Sequence, residues 1–224
     1  MQNKAPVPDV SYVEPMLRRR ISSLGKMGLK VAHDCVTSAG DVRLVFASRH
    51  GELRRTTEIL HDLVHGRPIS PTAFSLSVLN AMAGVFGIVR HDRSATIAVS
   101  AGAETLSYGL LEAYAQFASN PTEPVLFVYA HEARDPIFGP LDETGTAPLA
   151  VAILLEQGAP QVLQCDASTA TQVPGVAVTA ASQADALLHC LASGAATCWS
   201  SGDADGNAGG ADTLWQWRQC ASAA

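Results

Sequence analysis

Apolar residues along this chain recur in two periods, and the switches between them predict its elements. Pro15 opens a helical pattern in which Met16, Leu17, Ile21, Leu24, Met27, Gly28 and Val31 return at intervals of three and four. Arg18, Arg19 and Arg20 fall in the first turn of that helix, where the dipole disfavours cations. They face water, a partner or a phosphate group. Val42 to Ala47 is a run of β-formers and predicts a strand, and Ser48-Arg49-His50-Gly51 predicts a turn. From Glu52 to Val64 the helical period returns, with Leu53, Thr57, Leu60 and Val64 on one face and Gly66 and Pro68 as the stop. Residues 69–88 are nearly all apolar or small. A helix is expected from Ser75 to Ala83, with Asn80 inside it as a buried amide in need of partners.

Further along, Ser94 to Val99 predicts a strand, Ser100-Ala101-Gly102 a sharp turn, and Ala103 to Phe117 a helix. Pro124 to Tyr129 predicts another strand. Pro148 to Leu155 predicts one that is apolar on both faces and so central in its sheet. Alternation of strand and helix argues for an α/β fold in α/β/α layers. Beyond Gly158 the pattern weakens. Gln161–Cys165 and Gly175–Thr179 are expected as edge strands and Gln183–Leu191 as a helix. Ser200 to Gly210 is rich in Gly, Asp and Ala and is expected to be flexible. Trp215 and Trp217 are expected to alternate, with one ring facing inward. The organisation expected is an arm over 1–14, one domain over 15–198 and a tail over 199–224.

Composition narrows the function classes. Of the 224 residues 47% are hydrophobic, so a sizeable core is expected, and 16% are charged, against about 25% in average globular chains. A charge-poor surface is consistent with one that a partner covers. The net charge of -6 argues against nucleic-acid binding. No apolar run approaches the ~18 residues of a spanning helix. The first twenty residues hold Asp9 and Glu14 and no apolar core, unlike a signal peptide, so a cytoplasmic location is expected. Cys35, Cys165, Cys190, Cys198 and Cys220 are scattered and form no CxxC pair, so they read as reduced and mostly core.

Candidate chemistry centres on the turn after the second strand. A residue there is presented beside the backbone N–H groups of a helix N-terminus, where an oxyanion is stabilised. Ala98-Val99-Ser100-Ala101-Gly102 nearly matches the G-x-S-x-G nucleophile elbow, with Ala98 in place of the first Gly. A serine hydrolase or thioesterase would use Ser100, with Asp166 and His189 as partners. His61 and His65 have the i, i+4 spacing of metal ligands but no evident third ligand. His131-Glu132 follows a strand end, where loops carry function. No phosphate loop is present, and no metal or organic cofactor is expected.

The segment Pro71 to Gly84, with Asn80-Ala81-Met82-Ala83-Gly84 at its end, resembles a helix of the β-ketoacyl synthases. Thr96-Ile97-Ala98-Val99 resembles the strand that follows it there, and Val99 to Ala113 the family's cysteine elbow and its helix. Val125–Tyr129 and Ala147–Glu156 resemble the next two strands. More closely, Pro15-x-x-Arg18-Arg19-Arg20, the Ser48–Gly51 turn and the Phe74–Gly84 helix are similar to the short chain length factors of aryl polyene gene clusters. The resemblance is strongest over residues 15–158. It implies one half of a thiolase-like fold, followed by a tail.

It also implies a degenerate elbow. The family's nucleophilic cysteine falls on Ala101 or Gly102, and no cysteine lies between Cys35 and Cys165. The histidine contexts of the family's second half do not occur. The implied function is a non-catalytic partner of a full-length ketosynthase that shapes its acyl tunnel, with an acyl carrier protein supplying the chain. Phe74, Leu76, Asn80, Met82, Gly84 and Phe86 are the implied tunnel and interface residues. A self-associating structural homodimer is a further alternative, since an apolar face can pair with a copy of itself.

Overall fold

The run of β-formers Arg43–Ala47 makes strand β1, and it sits inside a four-stranded sheet. The protein is described by a computed structural model, over residues 8–36, 40–133, 136–138, 147–169, 178–201 and 213–221. Its contacts divide it into two units, Met1–Ser100 with Gly109–Glu156, and Ala101–Tyr108 with Gln157–Ala224.

In the first unit the strand order is β2-β1-β3-β4, with β2 Thr96–Val99, β3 Val125–His131 and β4 Leu149–Leu155. β1 runs parallel to β2 and β3, and β4 runs antiparallel to β3. Leu44 and Phe46 of β1 and Leu126, Val128 and Ala130 of β3 share one face. They are buried with Leu24, Leu29 and Ala32 of helix α2 (Ser23–Cys35) and Met82, Ala83, Val85 and Phe86 of helix α5 (Ala81–Arg90). Burying each such large side chain is worth about 1.5–3 kcal/mol. On the opposite face Ala47 and Phe127 lie against Gly109 of helix α6 (Thr105–Ser119). Helix, sheet and helix are therefore stacked, as the alternating pattern predicts. Val10 and Val13, at the end of the expected arm, are buried in the same core.

Several elements differ from the expectation. The helix expected to run on from Pro15 is two helices, α1 Pro15–Arg18 and α2. Ser22 interrupts it as N-cap of α2, its Oγ accepting the Gly25 N–H at 2.9 Å. Arg18 closes a short helix, and Arg19 and Arg20 follow it, just ahead of the Ser22 cap of α2, rather than standing in a helix's first turn. Helix α3 spans Leu53–Val64, yet buries none of its residues: Leu60 is 49% and Val64 82% exposed.

The helix expected over Ser75–Ala83 is likewise split, into α4 Pro71–Ser75 and α5. Ser70 and Pro71 start α4 early as cap and first residue. Ser75 and Ser77 then donate to the carbonyls of Thr72 and Phe74, a local alternative that competes with the helical ladder. Asn80 is the exposed N-cap position of α5 rather than a buried mid-helix amide. β4 is at the sheet edge, not its centre, and all of it but Val151 is half-buried. Apolarity on both faces of a strand reports layers above and below it and says nothing of its lateral neighbours.

In the second unit the strand order is β5-β8-β7-β6, with β5 Gln161–Ser168, β6 Val178–Thr179, β7 Thr197–Ser200 and β8 Leu214–Ala221. β5 and β6 are edge strands, as expected. Helix α7, Gln183–Ser193, is capped by Ser182 and ends at Gly194, whose φ of +72° favours glycine. Leu187, Cys190, Cys198, Trp215 and Trp217 are buried here. Both tryptophans face inward, contrary to the expectation of one, because residues two apart on a strand share a face. Cys190 and Cys198 are core, Cys35 is half-buried, and Cys165 and Cys220 are exposed, so fewer cysteines are core than expected. β8 falls within the span expected as tail; of the segment Ser200 to Gly210, expected to be flexible, Ser200 ends β7 and residues 202–210 lie outside the described residues. No helix among the described residues is long and apolar enough to cross a membrane.

Candidate functional site

The turn that follows β2 is built by short polar contacts. The Ser48 N–H donates to the Val99 carbonyl at 3.1 Å, which ties the ends of β1 and β2 together. Ser100 is exposed, and its hydroxyl donates to the Arg49 carbonyl at 2.9 Å. In the second unit the Ala101 N–H donates to Thr105 Oγ1 at 2.9 Å, and that hydroxyl donates to the Gly102 carbonyl at 2.7 Å. Gly102 has φ +55°, a left-handed conformation that costs a side chain about 1–2 kcal/mol. A 3-10 turn, Gly102–Glu104, then leads into α6.

This turn offers little nucleophilic chemistry. Ala101 and Gly102 have no reactive side chain. A serine nucleophile must give its proton to a base, and the Ser100 proton is directed at a backbone carbonyl. Asp166 and His189, the expected partners of Ser100, lie in the second unit. Asp166 accepts from Arg218 at 2.6 Å and from Gln164 at 3.0 Å, and the Arg218 contact foremost holds its carboxyl below the usual range. His189 is exposed on α7, and among the described residues no hydrogen bond joins it to Asp166. A carboxylate engaged by arginine does not orient a histidine in the manner of a triad.

The six residues expected at a tunnel or interface divide by burial. Phe74 is 66% exposed, and Asn80 and Gly84 are exposed. A Cβ placed at Gly84 would meet open space. Leu76 is half-buried against the core, while Met82 and Phe86 are 2% and 3% exposed within it. The Arg90 guanidinium lies over the Phe86 ring, 5.4 Å from its centre. Beside the exposed members are residues the sequence did not single out: Val78, Ile88 of α5 and Ile97 of β2, all exposed. α5 packs on β2, the sheet edge. An unpaired edge strand flanked by exposed apolar side chains is a template for association. The signal for Ile88 and Ile97 was available only as isolated apolar residues in apolar segments.

A comparison with family models matches residues 1–218 to the β-ketoacyl synthase, N-terminal domain. The chain belongs to that family. Among solved structures it is similar to a chain of the complex of a ketosynthase (ApeO) with its chain length factor (ApeC) from Xenorhabdus doucetiae. Sequence identity is 28% and the TM-score 0.76, over 97% of this chain and 86% of that one. It also has the fold of the ishigamide ketosynthase/chain length factor, at 15% identity and TM-score 0.65, over 95% of this chain and 85% of that one. No curated protein matches the chain. The α/β fold is thus thiolase-like, as the resemblance implied.

The remaining polar candidates of this ketosynthase-family domain have local structural roles. His61 and His65 are exposed at the end of α3. Arg67 contacts His61 Nδ1 at 2.6 Å, and His65 Nδ1 lies 2.8 Å from the His61 carbonyl. His131 is buried at the end of β3, its ring 6.0 Å from that of His50. Glu132 accepts from the Ser23 hydroxyl and pairs with Arg54 at 3.9 Å. Among the described residues no group of His, Cys, Asp and Glu is placed to hold a metal.

Proposed function

We propose that this chain is a chain-length-factor-like subunit that pairs with a full-length ketosynthase and shapes its acyl tunnel. The observation that carries the reading is the likeness, along nearly its whole length, to a chain of a ketosynthase–chain length factor complex. The family domain whose elbow holds Ser100, Ala101 and Gly102 supports a non-catalytic role, because condensation needs a thiolate to carry the acyl group. In this reading the partner supplies the cysteine and histidines, and an acyl carrier protein delivers the growing chain, in the cytoplasm. The product is an aryl polyene or a related fatty-acid-like polyketide.

The β2 edge, Ile97, Ile88 and Gly84 form the pairing surface, with Phe74 and Asn80 beside it. Strand addition at an open edge supplies main-chain hydrogen bonds, and the apolar neighbours supply buried area. Leu76, Met82 and Phe86 act from behind by fixing the backbone that carries the exposed members.

Co-expression with the ketosynthase encoded beside it tests the reading. The expected result is a one-to-one complex on sizing, with condensing activity only when both chains are present. A monomer that ignores the ketosynthase, a homodimer that excludes it, or condensation by this chain alone would overturn the proposal.

A further inference from the structure

Two pairs of adjacent arginines far apart in the sequence line one cleft in the first unit. Arg19 and Arg20 follow α1, and Arg54 and Arg55 open α3; with Ser22, Ser23, Leu24, Ser70 and Thr72 they border a cleft of 670 Å³. We propose that this cleft binds a phosphate-bearing small molecule. The site is independent of the pairing surface proposed above.

The acidic groups in the cleft are all engaged. Glu52 is 7% exposed; it accepts from the Ser22 hydroxyl at 2.6 Å and from Arg55 Nε at 3.2 Å. Glu58 pairs with Arg54 at 3.7 Å, and Glu132 pairs with the same arginine and accepts from Ser23. Arg55 also donates to the Arg20 carbonyl at 2.8 Å, so it holds the backbone that presents Arg19 and Arg20. Those two side chains are exposed and enter none of these pairs. Four arginines and three glutamates leave one positive charge in the cleft.

The donors that line the cleft are of the kinds that phosphate sites use. Guanidinium forks match phosphate oxygens two at a time. The first amides of α2, Ser23 and Leu24, precede its hydrogen-bonded turns, and both residues line the cleft. Ser70 and Thr72 add hydroxyls on the facing wall. The volume falls in the range of small-molecule sites, about 300–1,000 Å³, and exceeds what a bare phosphate fills.

The test is a titration of the full chain with inorganic phosphate at low ionic strength, followed by amide-resolved NMR. The expected result is saturable shifts centred on Ser23, Leu24 and Thr72. Arg19→Ala and Arg20→Ala should each weaken binding about tenfold or more, the usual size of a lost charged hydrogen bond. Both residues are exposed, so the variants keep the fold. Glu58→Gln removes a competing charge and should tighten binding several-fold, which no general loss of structure would do. Arg18→Ala, whose side chain donates to the Ser11 carbonyl at 3.5 Å, should leave affinity unchanged. Three results would each overturn the proposal: no saturable shifts, equal weakening by Arg18→Ala, or succinate binding as tightly as phosphate.

Discussion

Two helical glycines of the first unit make opposite predictions when replaced by alanine. Gly109 lies on α6 against the sheet. An added Cβ would stand 2.6 Å from the Ala47 Cβ and 2.9 Å from Phe127 Cε2. Both neighbours are fully buried, on strands in the middle of the sheet, so neither has room to withdraw. Overpacking costs about 1–3 kcal/mol, and two contacts under 3.0 Å with neighbours that cannot withdraw take the upper part of that range, about 2–3 kcal/mol; the better helix propensity of alanine returns about 1 kcal/mol. Gly109→Ala should therefore lose about 1–2 kcal/mol. With a urea slope of about 2 kcal/mol/M, the midpoint should fall by about 0.5–1 M. Gly84 sits mid-helix in α5 with nothing within 4 Å of its Cβ position. Gly84→Ala keeps the propensity gain without the clash, and its midpoint should rise by up to about 0.5 M. Urea unfolding followed by the same probe for both variants tests the pair. If Gly109→Ala proves as stable as the parent, or Gly84→Ala less stable, the packing argument is refuted. Gly84→Leu carries the test to function: it should leave the isolated chain folded and weaken its pairing with the ketosynthase.

Other expectations follow from the same residues. Ile88→Asp and Ile97→Asp alter exposed positions, so thermal unfolding of the isolated chain should change little while co-purification with the ketosynthase is lost; retention at parental yield would move the interface elsewhere. Ser100→Ala should leave the condensing activity of the reconstituted complex within about twofold of the parent, whereas a fall of two or more orders of magnitude would make Ser100 a nucleophile. Asp92 accepts the Val42 N–H at 2.9 Å and the Ser94 N–H at 2.8 Å. Burial pushes its carboxyl up, but these hydrogen bonds outweigh it and hold the group below the ordinary value. The ionised form is thus favoured by folding, so its contribution is complete above the unfolded pKa of about 3.9 and fades as pH falls through the lower folded value. Asp92→Ala should cost about 1–3 kcal/mol near pH 7, because the N–H of buried Val42 loses its acceptor, and the gap from the parent should narrow below about pH 4 in pH-dependent denaturation.

Local pattern was enough for β1, β3, α6 and α7, because each carries its own period and its own punctuation. Ser182 and Gly194 bracket α7, and the glycine at 102 marks a turn that needs a left-handed residue. The side chains that stand at the elbow, Ser100, Ala101 and Gly102, were equally legible, since they are residue identities alone. The places where reading failed are those where short polar contacts outweigh periodicity. Serine hydroxyls at 22, 70, 75 and 77 divided two expected helices into four. The tryptophans at 215 and 217 lie on one face by the period of a strand alone, and the structure buries both.

By itself the sequence determined where β1, β3, α6 and α7 form, which residue types stand at the elbow, and that the chain would be α/β. Those properties depend on neighbours a few positions away. Only the tertiary structure decided that β4 takes the edge, that Leu60 and Val64 of the apolar stripe of α3 face solvent, and that Met82 and Phe86 point inward while Phe74, Gly84 and Ile88 point out. The same holds for the cleft, where Arg19 and Arg20 meet Arg54 and Arg55 across more than thirty residues of intervening chain. Lateral strand order and the exposed face of a helix depend on which surfaces are buried together, and no local period encodes that choice.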